Sequence, residues 1–195
     1  MSNNLAKYRV RILCEDRTQY EFMRGFLTDQ GIVSNRRILP CCPFPEGTQS
    51  GEQFVREHFV DAYNTYACTQ ENVLLVVVQD IDRRHRSAND ARNALEKLVQ
   101  ETGAGGLSAP DKLLLVFPKR NIETWFAWFM QDPPAEHVSE DTNYKQRHMK
   151  LPSGKLGKRA SALLRESLID PTVCTTAPES LVDACERFRN LQEHL

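Results

Sequence analysis

The chain has 195 residues, 41% of them hydrophobic and 26% charged, with a formal net charge of −1. That balance suits one globular domain with a sizeable core and excludes a disordered or collagen-like chain. The longest aliphatic run, Val73 to Val78, is far too short to span a bilayer, and the polar start Met1 to Lys7 lacks a signal-peptide core, so a cytoplasmic protein is expected.

In chain order, Tyr8 to Glu15 reads as a strand with Val10, Ile12 and Cys14 on one face. Thr18-x-x-Glu21 is a capping box, and Phe22, Met23, Phe26 and Leu27 form the apolar stripe of a helix stopped by Gly31. Ile32 to Leu39 is a second strand, closed by the proline-rich stretch Pro40 to Pro45. Ser50-x-x-Gln53 caps a helix with Val55, Phe59, Ala62, Tyr63 and Tyr66 inward.

Val73 to Val78 has the continuous aliphatic character of a central parallel strand covered on both faces. Ser87-x-x-Asp90 caps the next helix, whose inward side is Ala91, Ala94, Leu95, Leu98 and Val99. Leu113 to Phe117 is the fourth strand, followed by a helix burying Ile122, Trp125, Phe126, Phe129 and Met130. Two further helices are expected, from about Ala160 to Leu168 and from a Thr176-x-x-Glu179 cap onward. Four strand-then-helix units predict an α/β fold: a central parallel sheet of about four strands flanked by helices, with a C-terminal helical extension.

The six cysteines are scattered without a C-x-x-C pair, which argues for reduced thiols and against zinc or a disulfide framework. Acidic residues are placed more tellingly. Glu15 follows the first strand, Asp80 and Asp82 follow the third, and Glu123 follows the fourth. On parallel strands these positions share one sheet edge, where open α/β sheets bind ligands. Carboxylates gathered there repel one another unless a divalent cation intervenes, so the pattern predicts a Mg²⁺ or Mn²⁺ site.

Three segments carry a family resemblance: Glu15 in Ile12-Leu-Cys-Glu-Asp16, the Asp80-Ile-Asp82 pair, and Pro118-Lys-Arg-Asn-Ile-Glu-Thr-Trp125. In this order, over roughly residues 8 to 131, they resemble a Toprim domain of the small RloB-like or OLD type found in bacterial defence and mobile-element loci. The resemblance implies a Toprim-like, Rossmann-like core over residues 1–133, with the basic segment and C-terminal helices of 134–195 packed on it. It also implies a metal-dependent nuclease, an antiviral effector working with a separate ATPase or other subunit. Glu15, Asp80 and Asp82 would then hold one or two Mg²⁺ or Mn²⁺ ions, and Glu123 would complete the site or orient a water. Lys119 and Arg120, just before Glu123, are placed to stabilise charge on a reacting phosphate. Asp16 stands where the family has glycine.

The charge is unevenly spread. Asn143 to Arg165 holds seven basic residues and no acid, leaving about −8 on the rest of the chain. Lys145, Arg147, Lys150, Lys155, Lys158 and Arg159 in this run, with Arg83, Arg84 and Arg86 after the acidic pair, are the expected nucleic-acid contacts, to DNA or RNA. The competing reading is a non-catalytic subunit that uses the same sheet and basic tail to hold nucleic acid or a partner protein.

Overall fold

The computed structural model describes residues 7–31, 37–45, 50–69, 71–81, 87–103, 105–107, 112–145, 152–167 and 175–194. Four strands, β1 (Arg9–Cys14), β2 (Ile38–Pro40), β3 (Val73–Val78) and β4 (Leu113–Val116), form one all-parallel sheet in the order β2-β1-β3-β4. Six α-helices accompany them: α1 (Arg17–Asp29), α2 (Gly51–Ala62), α3 (Ala88–Glu101), α4 (Glu123–Met130), α5 (Ser153–Ser167) and α6 (Glu179–His194). None is long and apolar enough to cross a membrane among the described residues.

Strand alternation divides the core into two layers. Val10, Ile12, Leu74, Val76, Leu114 and Val116 face α1, α4, α5 and α6. Leu13, Leu75, Val77 and Leu115 face α2, α3 and the π turn Tyr63–Ala67. All six residues of β3 are buried, as expected of a central strand covered on both sides.

The chain first winds from β1 out to β2, then returns past β1 to β3 and on to β4. The direction of winding therefore reverses between β1 and β3. Crevices at the carboxyl ends of strands flanking such a switch point are where doubly wound sheets bind ligands. β1 and β3 pair from Arg9↔Val73 to Cys14↔Val78, so Glu15 and Gln79 leave the sheet side by side.

Several element ends differ from expectation. α1 begins two residues before the predicted Thr18 box, because Asp16 Oδ1 accepts the Gln19 N–H at 2.9 Å and serves as its N-cap. β2 covers only Ile38–Pro40, and 32–36 lie outside the described residues. Ser50 occupies the α2 cap position without a side-chain hydrogen bond, whereas Ser87 Oγ does accept the Asp90 N–H. At α6 the early N–H, that of Ser180, goes to Glu140 Oε1 rather than to the predicted Thr176 cap. The largest difference is α5, which starts at Ser153 rather than near Ala160. Gly154 and Gly157 weaken helix propensity but permit close packing on α1, and the tertiary contact prevails.

Candidate functional site

The carboxyl ends of β1 and β3 are tied together by side chains. Glu15 Oε1 accepts the backbone N–H of Asp80 at 2.8 Å. Gln19, fully buried in the first turn of α1, accepts the Glu15 N–H through Oε1 (2.9 Å) and donates from Nε2 to Asp80 Oδ1 (2.8 Å). Asp16 therefore positions this set indirectly: its cap fixes the turn that carries Gln19.

Asp80 is buried, and its second oxygen, Oδ2, lies 3.5 Å from Lys145 Nζ. Lys145 comes from the segment between α4 and α5, directly after Tyr144. Asn143 Oδ1 accepts both the Lys145 N–H (3.0 Å) and an Nδ2–H of buried Asn121 (3.2 Å), while Tyr144 is itself buried. The Asn121-Ile122-Glu123 segment thus anchors the turn that presents Lys145 to the acids.

Glu123 stands in the first turn of α4, and its Oε2 is buried with no hydrogen-bond partner among the described residues. Lys119 extends the β3–β4 pairing through a bridge to Ile81, and its half-exposed ammonium lies 3.5 Å from Asp141 Oδ1. Arg120 has a left-handed φ of 70°, an unusual conformation for arginine, fixed by its N–H bonding to the Ile81 carbonyl. The turn after β4 is thereby tied to Ile81, just past Asp80.

The electrostatics agree with crowding. Burial, opposed by the Asp80 N–H and Lys145 and reinforced by Asp16 and Glu52, pushes the Glu15 carboxyl up to about 7. Burial and then the charge of Glu15 raise Asp80 well above the usual carboxylate range. Glu123 is raised by burial and by Asp16. For Lys145 burial disfavours the charge, but Asp80, Glu15 and Glu123 outweigh it and raise its pKa. Cys14, nearest of the thiols to this edge by sequence, is buried, donates to the Asp16 carbonyl at 3.2 Å and is pushed strongly towards the neutral thiol, chiefly by burial. It is a poor nucleophile there.

The donor set suits a hard divalent cation in kind: carboxylate oxygens only, one of them orphaned and buried. In position the side chains are less gathered. Among the described residues no three His, Cys, Asp or Glu side chains stand close enough to enclose a metal ion. The predicted ligand Asp82 lies outside the described residues, as do Arg83, Arg84, Arg86, Arg147 and Lys150.

Of the remaining expected contacts, Lys145 faces the acids, Lys155 and Lys158 line a surface groove on α5, and Arg159 donates to the Phe129 carbonyl at 2.9 Å. Gln19 is a site residue that motif reading passes over. Its signal is positional: it shares the i, i+3, i+4, i+7 stripe with Phe22, Met23 and Phe26, where a polar side chain needs a buried partner. Compared with protein-family models, curated proteins and solved structures, the chain matches none of them.

Proposed function

We propose that this chain is a Mg²⁺- or Mn²⁺-dependent nuclease of Toprim type, cleaving phosphodiester bonds of DNA or RNA. The observation that carries the reading is the pairing of Glu15 with the Asp80 N–H at the switch point of a parallel sheet, with Glu123 near enough for its charge to raise Asp80. Glu15, Asp80 and Glu123 would hold the ion, joined by Asp82 from its place in the sequence. Such an ion, when bound, activates water and offsets charge on the phosphate.

The chain's own groups do the positioning. Gln19 holds Asp80 Oδ1 so that Oδ2 faces outward to Lys145, and the Asp80 N–H holds Glu15 Oε1. Lys145 brings an ammonium group to the acids, where an anionic phosphate gains from it, whereas the Lys119 ammonium pairs with Asp141. An antiviral effector assisted by a separate ATPase is the setting that this reading implies.

The second reading, a non-catalytic nucleic-acid- or partner-binding subunit, is favoured by the Lys145–Asp80 ion pair, which gives the acids a cation from the chain itself. Incubation with plasmid and RNA in Mg²⁺ or Mn²⁺ separates the two. Cleavage is expected from the wild type and not from Glu15→Gln or Asp80→Asn. Equal cleavage by the variants overturns the nuclease assignment, and binding without cleavage in either metal supports the second reading.

A further inference from the structure

Of the seven cations that the sequence places in one run, the five described ones do different things in the fold. Lys145 serves the acids, Arg159 ties α5 to the end of α4, and Arg165 Nη2 binds Asp29 Oδ2 at 2.7 Å. Lys155 and Lys158 do neither. They line one wall of a groove of about 530 Å³, and the other wall is α1, with Arg17, Glu21 and Arg24.

The groove is rigidly framed. A Cβ on Gly25 would fall 2.0 Å from the Gly154 carbonyl oxygen, and one on Gly157 would fall 1.9 Å from that of Phe22. Only glycine permits this backbone-to-backbone approach of α1 and α5. Arg17, Glu21 and Arg24 recur at i, i+4 and i+7, a single stripe of α1, and Lys155 and Lys158 at i and i+3 share a face of α5. The lining holds four cations and one carboxylate, Glu21, which lies 3.2 Å from Arg24 and 4.0 Å from Arg17. Asp29, beyond the groove, is occupied by Arg165.

Position adds direction. Arg17 is the first residue of α1, directly after Glu15 and the Asp16 cap, so the cationic stripe begins at the acidic edge and runs away from it. Arg17 to Arg24 spans roughly 10 Å of helix axis, enough to meet successive phosphates of one strand.

We infer that the α1/α5 groove is a track for the sugar-phosphate backbone of a nucleic-acid strand, with Arg17, Arg24, Lys155 and Lys158 as its phosphate contacts. Such contacts position the strand without reading its sequence. The inference deepens the nuclease reading and rests on it for the destination of the strand, but binding is measured separately from cleavage.

The test is fluorescence anisotropy of labelled single- and double-stranded oligonucleotides in EDTA, over a series of salt concentrations. The Arg24→Gln, Lys155→Gln, Lys158→Gln triple variant is compared with a charge-matched control, Arg56→Gln, Arg92→Gln, Lys97→Gln, on the opposite helical layer. The groove variant is expected to bind at least about tenfold more weakly at low salt, with a log–log salt slope smaller by about two to three. The control is expected to bind nearly as the wild type does. Equal weakening in both variants, an unchanged salt slope, or no binding by the wild type overturns the track. Loss of binding to phosphatidylserine vesicles with oligonucleotide binding intact overturns it too, in favour of a membrane surface. Should the variant not fold, acylation of Lys155 and Lys158 in the wild type, read by mass spectrometry, is expected to fall when oligonucleotide is added, and unchanged labelling overturns the proposal. Metal-dependent cleavage at an unchanged rate in the groove variant would remove the track and leave the nuclease reading standing.

Discussion

Glu15 reaches across from the end of β1 and accepts the backbone N–H of Asp80 through Oε1 at 2.8 Å. One carboxylate thereby closes the gap between the two strands at the switch point and holds a second carboxylate beside itself. Burial raises the pKa of both groups, the charge of Glu15 raises Asp80 further, and the Asp80 N–H partly offsets the rise at Glu15.

A pH dependence follows with a definite sign. Glu15 moves from the ordinary 4.5 to about 7 on folding, mainly through burial, so the folded protein takes up this proton more readily than the unfolded chain does. Its contribution is intact below about 4.5 and is lost as pH rises to about 7, and raised Asp80 acts in the same direction. Unfolding by urea is expected to show lower stability at about pH 8 than at about pH 5, by up to roughly 3 kcal/mol from Glu15. Glu15→Gln should flatten the difference, and a slope unchanged in that variant would assign it elsewhere.

Gln19→Ala removes the donor to Asp80 Oδ1 and the acceptor of the Glu15 N–H together. Leaving two buried groups unpartnered is expected to lower stability by about 1–3 kcal/mol. Gln19→Glu would instead add a fourth negative charge to the cluster and should be worse at about pH 8 than at about pH 5. Chemical denaturation at both pH values distinguishes the two effects.

Lys145→Met withdraws the ammonium that faces Asp80, Glu15 and Glu123. Without metal, the melting temperature at about pH 8 is expected to fall by a few degrees. If the acids hold a divalent cation, millimolar Mn²⁺ should raise the melting temperature of the variant more than that of the wild type, because the positive competitor has gone. Equal Mn²⁺ shifts in the two proteins would show that Lys145 does not contest the site.

The helix seam gives a prediction independent of any chemistry. Gly157→Ala and Gly25→Ala place a methyl group about 2 Å from backbone oxygen of the facing helix, where no side chain can yield. Each is expected to cost about 2–4 kcal/mol as α5 is pushed from α1. Gly105→Ala, where a Cβ meets nothing within 4 Å, should stay within about 0.5 kcal/mol of the wild type.

The wild-type core also predicts a large single effect. Trp125 is 1% exposed, packs against Phe22 at 5.7 Å between ring centroids, and donates from Nε1 to Ser180 Oγ at 2.8 Å. Trp125→Ala is expected to cost about 3–5 kcal/mol, and Ser180→Ala about 1–2 kcal/mol, by denaturant unfolding.

The sequence by itself determined what is local: β1, β3 and β4, most of the helices between them, and the three described acids at strand ends, Glu15, Asp80 and Glu123. Apolar period and chain connectivity decide those, because a parallel strand must be followed by a crossover and its carboxyl end must lie on one edge. Only the tertiary structure decided the strand order that makes β1 and β3 neighbours, the bridge by Gln19, and the assignment of Lys145 to Asp80 across 65 residues. It also sorted the basic run, because a charge pattern along the chain does not say which cation finds a carbonyl, a carboxylate or a groove. The α5 boundary escaped local reading for a related reason: glycine is unfavourable in an isolated helix, and becomes favourable once another backbone lies against it.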